Sequence, residues 1–323
     1  MERTTDVLLR VASLYHIQGE TMESIAHQLD VSRSTVSRLL KEARDRGVVR
    51  VSVVDPDRPM NRIQQRLQDV FGIRVHLVSV RPGASNLLRL EQVAKVAAGI
   101  LDDNVRDGDV IGVAWGTTTS AIASSLRPRD LTGVTVVGLN GGANHHTTGL
   151  PYVGSILQRY AEAFHGQEML LPLPAFFDRA ETRDAMWQER STQHVLAVRA
   201  NTRIAVFGVG GFESEVQSHV YASNYLSDAD YIGLKKDGAV GDVCTVMLRA
   251  DGTWRDIPFN SRASGMTPDE LRRIERRLCV VTGVKKSKPL LAALRAGVVT
   301  DLVVDMETAR AVVTRMMPDK KLD

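Results

Sequence analysis

The sequence predicts an α/β protein in two parts: an N-terminal winged helix-turn-helix, then a mostly parallel, Rossmann-like sheet domain. Two observations carry this. Residues 21–40, TMESIAHQLDVSRSTVSRLL, read as two short helices around a tight turn. From residue 72 onward, short apolar runs alternate with amphipathic stretches, the pattern of parallel strands covered by helices on both faces. With 323 residues and a net charge of +3, the chain has room for more than one domain and is no polycation as a whole.

The helix-turn-helix is read from its apolar faces and its punctuation. Ile25, Ala26 and Leu29 form one face, and Val31, Val36, Leu39 and Leu40 a second. Ala26 is small where two helices must approach, and Asp30 tolerates the left-handed turn between them. Ser32 is placed to cap the second helix. That helix then points Arg33, Ser34, Thr35, Ser37 and Arg38 outward, side chains suited to phosphates and base edges in a major groove. Between Arg33 and Arg50 there are six basic residues and two acidic ones, the local asymmetry that phosphate neutralisation requires. Residues 7–17 carry apolar side chains at helical spacing and predict a third helix over the pair. Gly47 ends the recognition helix, and VVRVSVV (48–54) predicts the wing strand, with Arg50 on it.

Three stretches follow: a DNA-binding domain over 1–54, a linker helix within 55–71, and a ligand-binding and oligomerisation domain over 72–323. DPDRP (55–59) breaks the pattern, and Ile63, Leu67, Val70 and Phe71 then recur at helical spacing. Whether that helix packs on its own domain or on another subunit stays open.

In the second domain, strands are predicted over 75–80, 109–116, 134–142, 203–211, 279–284 and 302–306. Helices are predicted over 87–101, 117–126, 153–165 and 288–296. VCTVML (243–248), followed by a turn at Ala250, Asp251 and Gly252, predicts an antiparallel hairpin added to the main sheet. In such folds ligands bind at the carboxyl ends of the strands. The segments there are glycine-bearing: Gly116 with Thr117, Thr118 and Thr119; Asn140 with Gly141 and Gly142; Gly208 to Gly211; Gly238 to Asp242; and Gly283 to Lys286. Glycines let backbone amides reach an anion, hydroxyls and an ammonium complete a phosphate cradle, and carboxylates and amides suit sugar hydroxyls. This convergence points to a small polar, phosphorylated ligand or a polyol. Asp242 either grips hydroxyls or caps a turn. Lys286 either holds phosphate or belongs to a solvated trio with Lys285 and Lys288. Trp115 reads as core.

An N-terminal helix-turn-helix joined to this domain resembles the SorC-type bacterial transcriptional regulators, which carry a sugar-binding domain. The resemblance spans essentially the whole chain. Its pieces are IGVAWGTTTSAIASSL (111–126), VTVVGLNGG, LPLP (171–174), DGAVGDVC (237–244) and KPLLAALRAGVVTDLVVDMETA (288–309). It implies a domain related to sugar-phosphate isomerases and glucosamine-phosphate deaminases, without catalysis, in a dimer or tetramer. It puts Gly116, Thr117 and Thr118 at the phosphate, Asp242 at sugar hydroxyls, and Lys286 at the effector. In the branch of the family whose effector is a deoxyribose phosphate, the strand before the paired glycines ends in a lysine able to form an imine. Here that position is Asn140, which has no nucleophilic amine.

The expected function is therefore a regulator, most often a repressor in this family, that binds double-stranded operator DNA and answers to a phosphosugar or polyol effector. The rival is an isomerase or deaminase with a DNA-binding appendage. Isomerisation needs a general base; the 140–144 segment has no carboxylate, and Asp242 would have to act alone. No cofactor and no metal is expected. His145 and His146 are adjacent, so they face different ways, and no third ligand stands at a metal-site spacing. The lack of a signal-peptide pattern and of an 18-residue apolar run points to a cytoplasmic protein. Cys244 and Cys279, the only cysteines, lie in apolar runs and read as buried free thiols.

Overall fold

Among the described residues, three helices make up the N-terminal unit: α1 (Glu2–His16), α2 (Met22–Gln28) and α3 (Arg33–Asp45). The computed structural model describes residues 2–49, 62–81, 83–144, 150–213, 219–222 and 225–316, and the chain divides into units 1–59 and 60–323. Val11, Ile25, Ala26, Val36 and Leu40 bury one another, and Leu8, Ala12 and Ala43 close the other side of the trihelical core. Thr21 caps α2 by accepting the Ser24 amide, and Ser32 caps α3 by accepting the Thr35 amide. Asp30 takes φ 52° in the turn between them. Val31 does not join the second apolar face. It sits in the turn and is exposed, because the chain there leaves the helical path before α3 begins. Gly47, at φ 74°, ends α3, and Val48 and Val49 pack back on the core in a turn. The rest of the predicted wing strand, with Arg50, and the 55–59 linker lie outside the described residues.

Among the described residues the second unit has nine strands: β1 (Arg74–Val78), β2 (Val110–Val113), β3 (Thr135–Gly138), β4 (Gln167–Met169), β5 (Ile204–Phe207), β6 (Ala239–Val243), β7 (Val246–Arg249), β8 (Arg276–Val281) and β9 (Asp301–Asp305). Seven form one sheet in the order β1-β9-β8-β5-β2-β3-β4, and every pair in it is parallel. The helices are α4 (Arg62–Phe71), α5 (Asn86–Asn104), α6 (Thr117–Ala123), α7 (Leu150–Ala163), α8 (Ala180–Gln188), α9 (Arg190–Ala200), α10 (His219–Ala222), α11 (Asp228–Lys236), α12 (Pro268–Leu271), α13 (Ser287–Arg295) and α14 (Met306–Met316). Alternate strand residues enter two cores. Val206, Val280 and Val303 meet α5, α6 and α7, while Phe207, Val281 and Val304 meet the α13 and α14 side. Burial on both faces is why these strands read as unbroken apolar runs. Helix α4 packs on its own unit, burying Ile63 and Leu67 against β1 and α14.

The hairpin differs from the sequence expectation in two ways. β6 and β7 form a separate two-stranded sheet, joined to the loop after β5 by a single bridge between Gly210 and Asp242. The turn between them is Cys244–Thr245, at φ 50° and 67°, and the Ala250–Gly252 turn follows β7. Two positive φ values match the twist of paired strands, and the Asp242 carboxylate holds the turn by accepting the Thr245 amide at 2.9 Å. Periodicity also gave no sign of the short edge strand β4 or of α8 and α9.

Candidate functional site

The strand order places a crevice where the chain direction diverges. β2 is followed by β3 on one side, while β5 lies on its other side, so the segments leaving β2 and β5 part at their carboxyl ends. A cleft opens there. Its lining includes Gly116, Thr117, Thr118 and Thr119 after β2, Asn140 after β3, Gly208 to Gly210 after β5, Asp242 from the hairpin and Lys286 after β8. With Val220 of α10, six described chain segments thus meet in one cleft.

The side chains differ in what they have left to offer. The Thr119 hydroxyl donates to the Ala114 carbonyl at 2.8 Å and fixes the strand-to-helix turn. Thr117 meets the Tyr152 hydroxyl. Thr118 is buried in the cleft lining, and its hydroxyl makes no hydrogen bond to another described residue. Asn140 is only 2% exposed, and its Oδ1 has no partner among the described residues.

Asp242 both closes a turn and faces the cleft. Its Oδ1 accepts the Tyr221 hydroxyl at 2.6 Å and its Oδ2 accepts the Thr245 amide. Burial raises the carboxyl's pKa, while these two donors and the Lys286 charge oppose the rise. Lys286 parts from its neighbours: it is buried, whereas Lys285 and Lys288 are exposed. Burial lowers its pKa against the pull of Asp242. Among the described residues, one ammonium and one carboxyl are the charged groups of the lining.

Gly141 and Gly142 do not line the cleft. A side chain at Gly141 would lie 2.3 Å from the Leu173 carbonyl oxygen, and one at Gly142 would lie 2.4 Å from Val153. Close packing is what requires glycine at both. Their carbonyls anchor an aromatic wall instead, accepting Trp115 Nε1 at 2.9 Å and the Tyr225 hydroxyl at 2.6 Å. The Trp115 and Tyr225 rings lie 5.4 Å apart, tilted by 35°, and Trp115 lines the cleft as well as the core. Sequence reasoning missed Tyr221 and Tyr225, which follow no strand-end pattern, whereas Gly210 lies in the 208–211 segment it marked after β5.

In the N-terminal unit, Arg33, Ser34, Ser37 and Arg38 are exposed on α3. Thr35 is half-buried and its hydroxyl pairs with Ser32 Oγ at 2.9 Å, so Ser32 and Thr35 chiefly fix the helix start. Glu23 of α2 lies 3.6 Å from Arg33. Among the described residues there is no cluster that could hold a metal and no helix long and apolar enough to cross a membrane. His145 and His146 lie outside those residues.

A family profile described as "Putative sugar-binding domain" matches residues 58–314, and one for sigma-70 region 4 matches residues 2–46. The deoxyribonucleoside regulator of Bacillus subtilis is 32% identical over 305 residues, 94% of this chain and 96% of that one. The chain belongs to the SorC family of sugar-binding regulators. The sorbitol operon regulator of Klebsiella pneumoniae is 24% identical over 96% of this chain and 98% of its own length. A solved domain of a "possible sugar-binding transcriptional regulator" from Arthrobacter aurescens shares 39% identity at TM-score 0.74, covering 80% of this chain and all 100% of that one. Full-length SorC from Klebsiella pneumoniae shares the fold at TM-score 0.71 and 22% identity, over 97% of this chain and 100% of that one. These relatives are transcriptional regulators, and this member of the family carries both a helix-turn-helix and the sugar-binding domain.

Proposed function

We propose that this SorC-family chain represses an operon of sugar or nucleoside catabolism and releases its operator when a phosphorylated sugar enters the cleft. Arg33, Ser34, Ser37 and Arg38 meet the bases and phosphates of double-stranded operator DNA, on a helix whose start Ser32 and Thr35 fix. Lys286, Thr118 and the backbone of Gly116 and Gly208 hold the phosphate. Asp242 and Asn140 meet the hydroxyls. The chain acts as a homo-oligomer in the cytoplasm, because two half-sites about one helical turn apart (~34–36 Å) give the specificity that a single recognition helix lacks. The ligand acts by binding one conformation of the second unit better than the other.

The observation that carries this reading is the meeting of a buried ammonium, carboxyl and amide with an unengaged hydroxyl in a switch-point cleft, in a chain that also bears a capped basic helix. Turnover is no part of it. Asp242, the carboxyl among the described residues of the lining, already accepts a hydrogen bond on each oxygen, which suits a fixed acceptor better than a general base.

The test is fluorescence anisotropy with the DNA upstream of the protein's own gene, run with a panel of phosphosugars and polyols. We expect salt-dependent binding, about tenfold or more weaker with one phosphosugar, which is recovered chemically unchanged. Binding that tightens with ligand would refute the repressor assignment. A ligand consumed at a catalytic rate would refute the non-enzymatic one.

A further inference from the structure

We propose that Asn140 selects the effector: its side-chain oxygen waits for a ligand hydroxyl, so the cleft takes a sugar phosphate bearing a hydroxyl where a deoxy sugar has only hydrogen. Granted the ligand reading above, this names the class of sugar.

Asn140 is 2% exposed, lines the cleft, and leaves Oδ1 without a partner among the described residues. Buried polar atoms are nearly always paired, so an orphan in a cleft marks a place for something from outside. The donors of the adjoining wall are engaged elsewhere. Trp115 Nε1 donates to the Gly141 carbonyl, Tyr225 to the Gly142 carbonyl, and Tyr221 to Asp242. The Gly141 amide, next in the chain, donates to Ser264 Oγ at 3.0 Å.

The missing partner must bring a proton. A phosphate oxygen brings only lone pairs and could meet the amide nitrogen but not the unpaired Oδ1, whereas a sugar hydroxyl can meet Oδ1, which favours Asn140 at the sugar end of the cleft and leaves Lys286 and Thr118 for the phosphate. A hydroxyl both donates and accepts, so it satisfies either end of an amide. A methylene satisfies neither. A site that leaves a buried polar group unpaired rejects the analogue lacking the hydroxyl far more strongly than an apolar pocket rejects a missing methylene.

The test uses full-length protein, isothermal titration calorimetry and thermal melts. The probes are ribose phosphate with its deoxyribose counterpart, glucose phosphate with its deoxyglucose counterpart, and sorbitol phosphate. The proteins are wild type and Asn140→Leu, which keeps the volume and removes the amide. We expect wild type to bind one hydroxylated phosphosugar about 10- to 100-fold more tightly than its deoxy counterpart, and Asn140→Leu to lose that preference. Without ligand, Asn140→Leu should melt at or above wild type, since it removes an unpaired buried acceptor, so a folding failure cannot pass for lost recognition. Equal affinity of wild type for both members of every pair, or a preference unchanged in Asn140→Leu, would overturn the inference while leaving the ligand reading standing. A wild type that binds no probe would overturn both.

Discussion

Tyr221 donates its hydroxyl to Asp242 Oδ1 at 2.6 Å and is the side chain that tethers that oxygen. Burial pushes the Asp242 carboxyl up, and the Tyr221 hydrogen bond, the Thr245 amide and the Lys286 charge pull it back. Tyr221→Phe removes one of the three opposing forces and should raise the carboxyl further. A protonated Asp242 is a poorer acceptor for sugar hydroxyls, so ligand affinity is lost as pH falls through the folded-state pKa. In Tyr221→Phe that loss should begin at higher pH. Calorimetric titrations of both proteins across mildly acidic pH check this; parallel profiles would show that Tyr221 does not tune the carboxyl.

Gly210 supplies the space in which this pair sits. A Cβ there would lie 1.8 Å from Asp242 Oδ1 and 2.8 Å from the Tyr221 ring. Gly210→Ala should therefore displace both and lower ligand affinity about tenfold or more, with a cost in stability typical of core overpacking, about 1–3 kcal/mol. Gly208→Ala meets its nearest neighbour at 3.4 Å and should be milder. Melting temperature and calorimetric affinity, measured on the two variants side by side, give the ranking.

The neighbouring threonines should separate by role. Thr118→Val keeps the shape and removes a hydroxyl that makes no hydrogen bond to another described residue, so it should weaken phosphosugar binding by about 1.5–3 kcal/mol. Operator binding without ligand should be unchanged, because Thr118 lies in the second unit. Thr119→Val instead leaves the Ala114 carbonyl without its 2.8 Å donor and should lower the melting temperature. An equal loss of ligand affinity in both variants, with equal stability, would remove the distinction.

On α3, Arg38→Ala should weaken operator binding by about 1–3 kcal/mol, the worth of a bidentate base contact. Ser32→Ala should cost about 1 kcal/mol of stability, because it removes the side-chain acceptor that caps the Thr35 amide. Gel-shift affinity and thermal melts of the two variants separate contact from cap. An Arg38→Ala protein with wild-type affinity would move recognition off this helix.

The chain by itself determined whatever depends on a few neighbouring residues. The Ser32 cap, the Asp30 turn and the Gly47 stop were legible because each works within one helical turn. The alternation of strands and helices was legible because period and apolar content are local too. Tertiary structure alone decided strand order, which sets β1 beside β9 through Arg74 and Asp301, 227 positions apart. It also decided which of three nearby lysines is buried, because only Lys286 turns inward at the end of β8. The turn at Cys244–Thr245 was hidden for the same reason: nothing local favours positive φ in a thiol and a β-branched residue, and Asp242 supplies the tether. Gly141 and Gly142 looked like ligand glycines by sequence, yet the Leu173 carbonyl and Val153 are what exclude a side chain there. Burial and partners belong to the packed chain, since they depend on which distant segments arrive alongside.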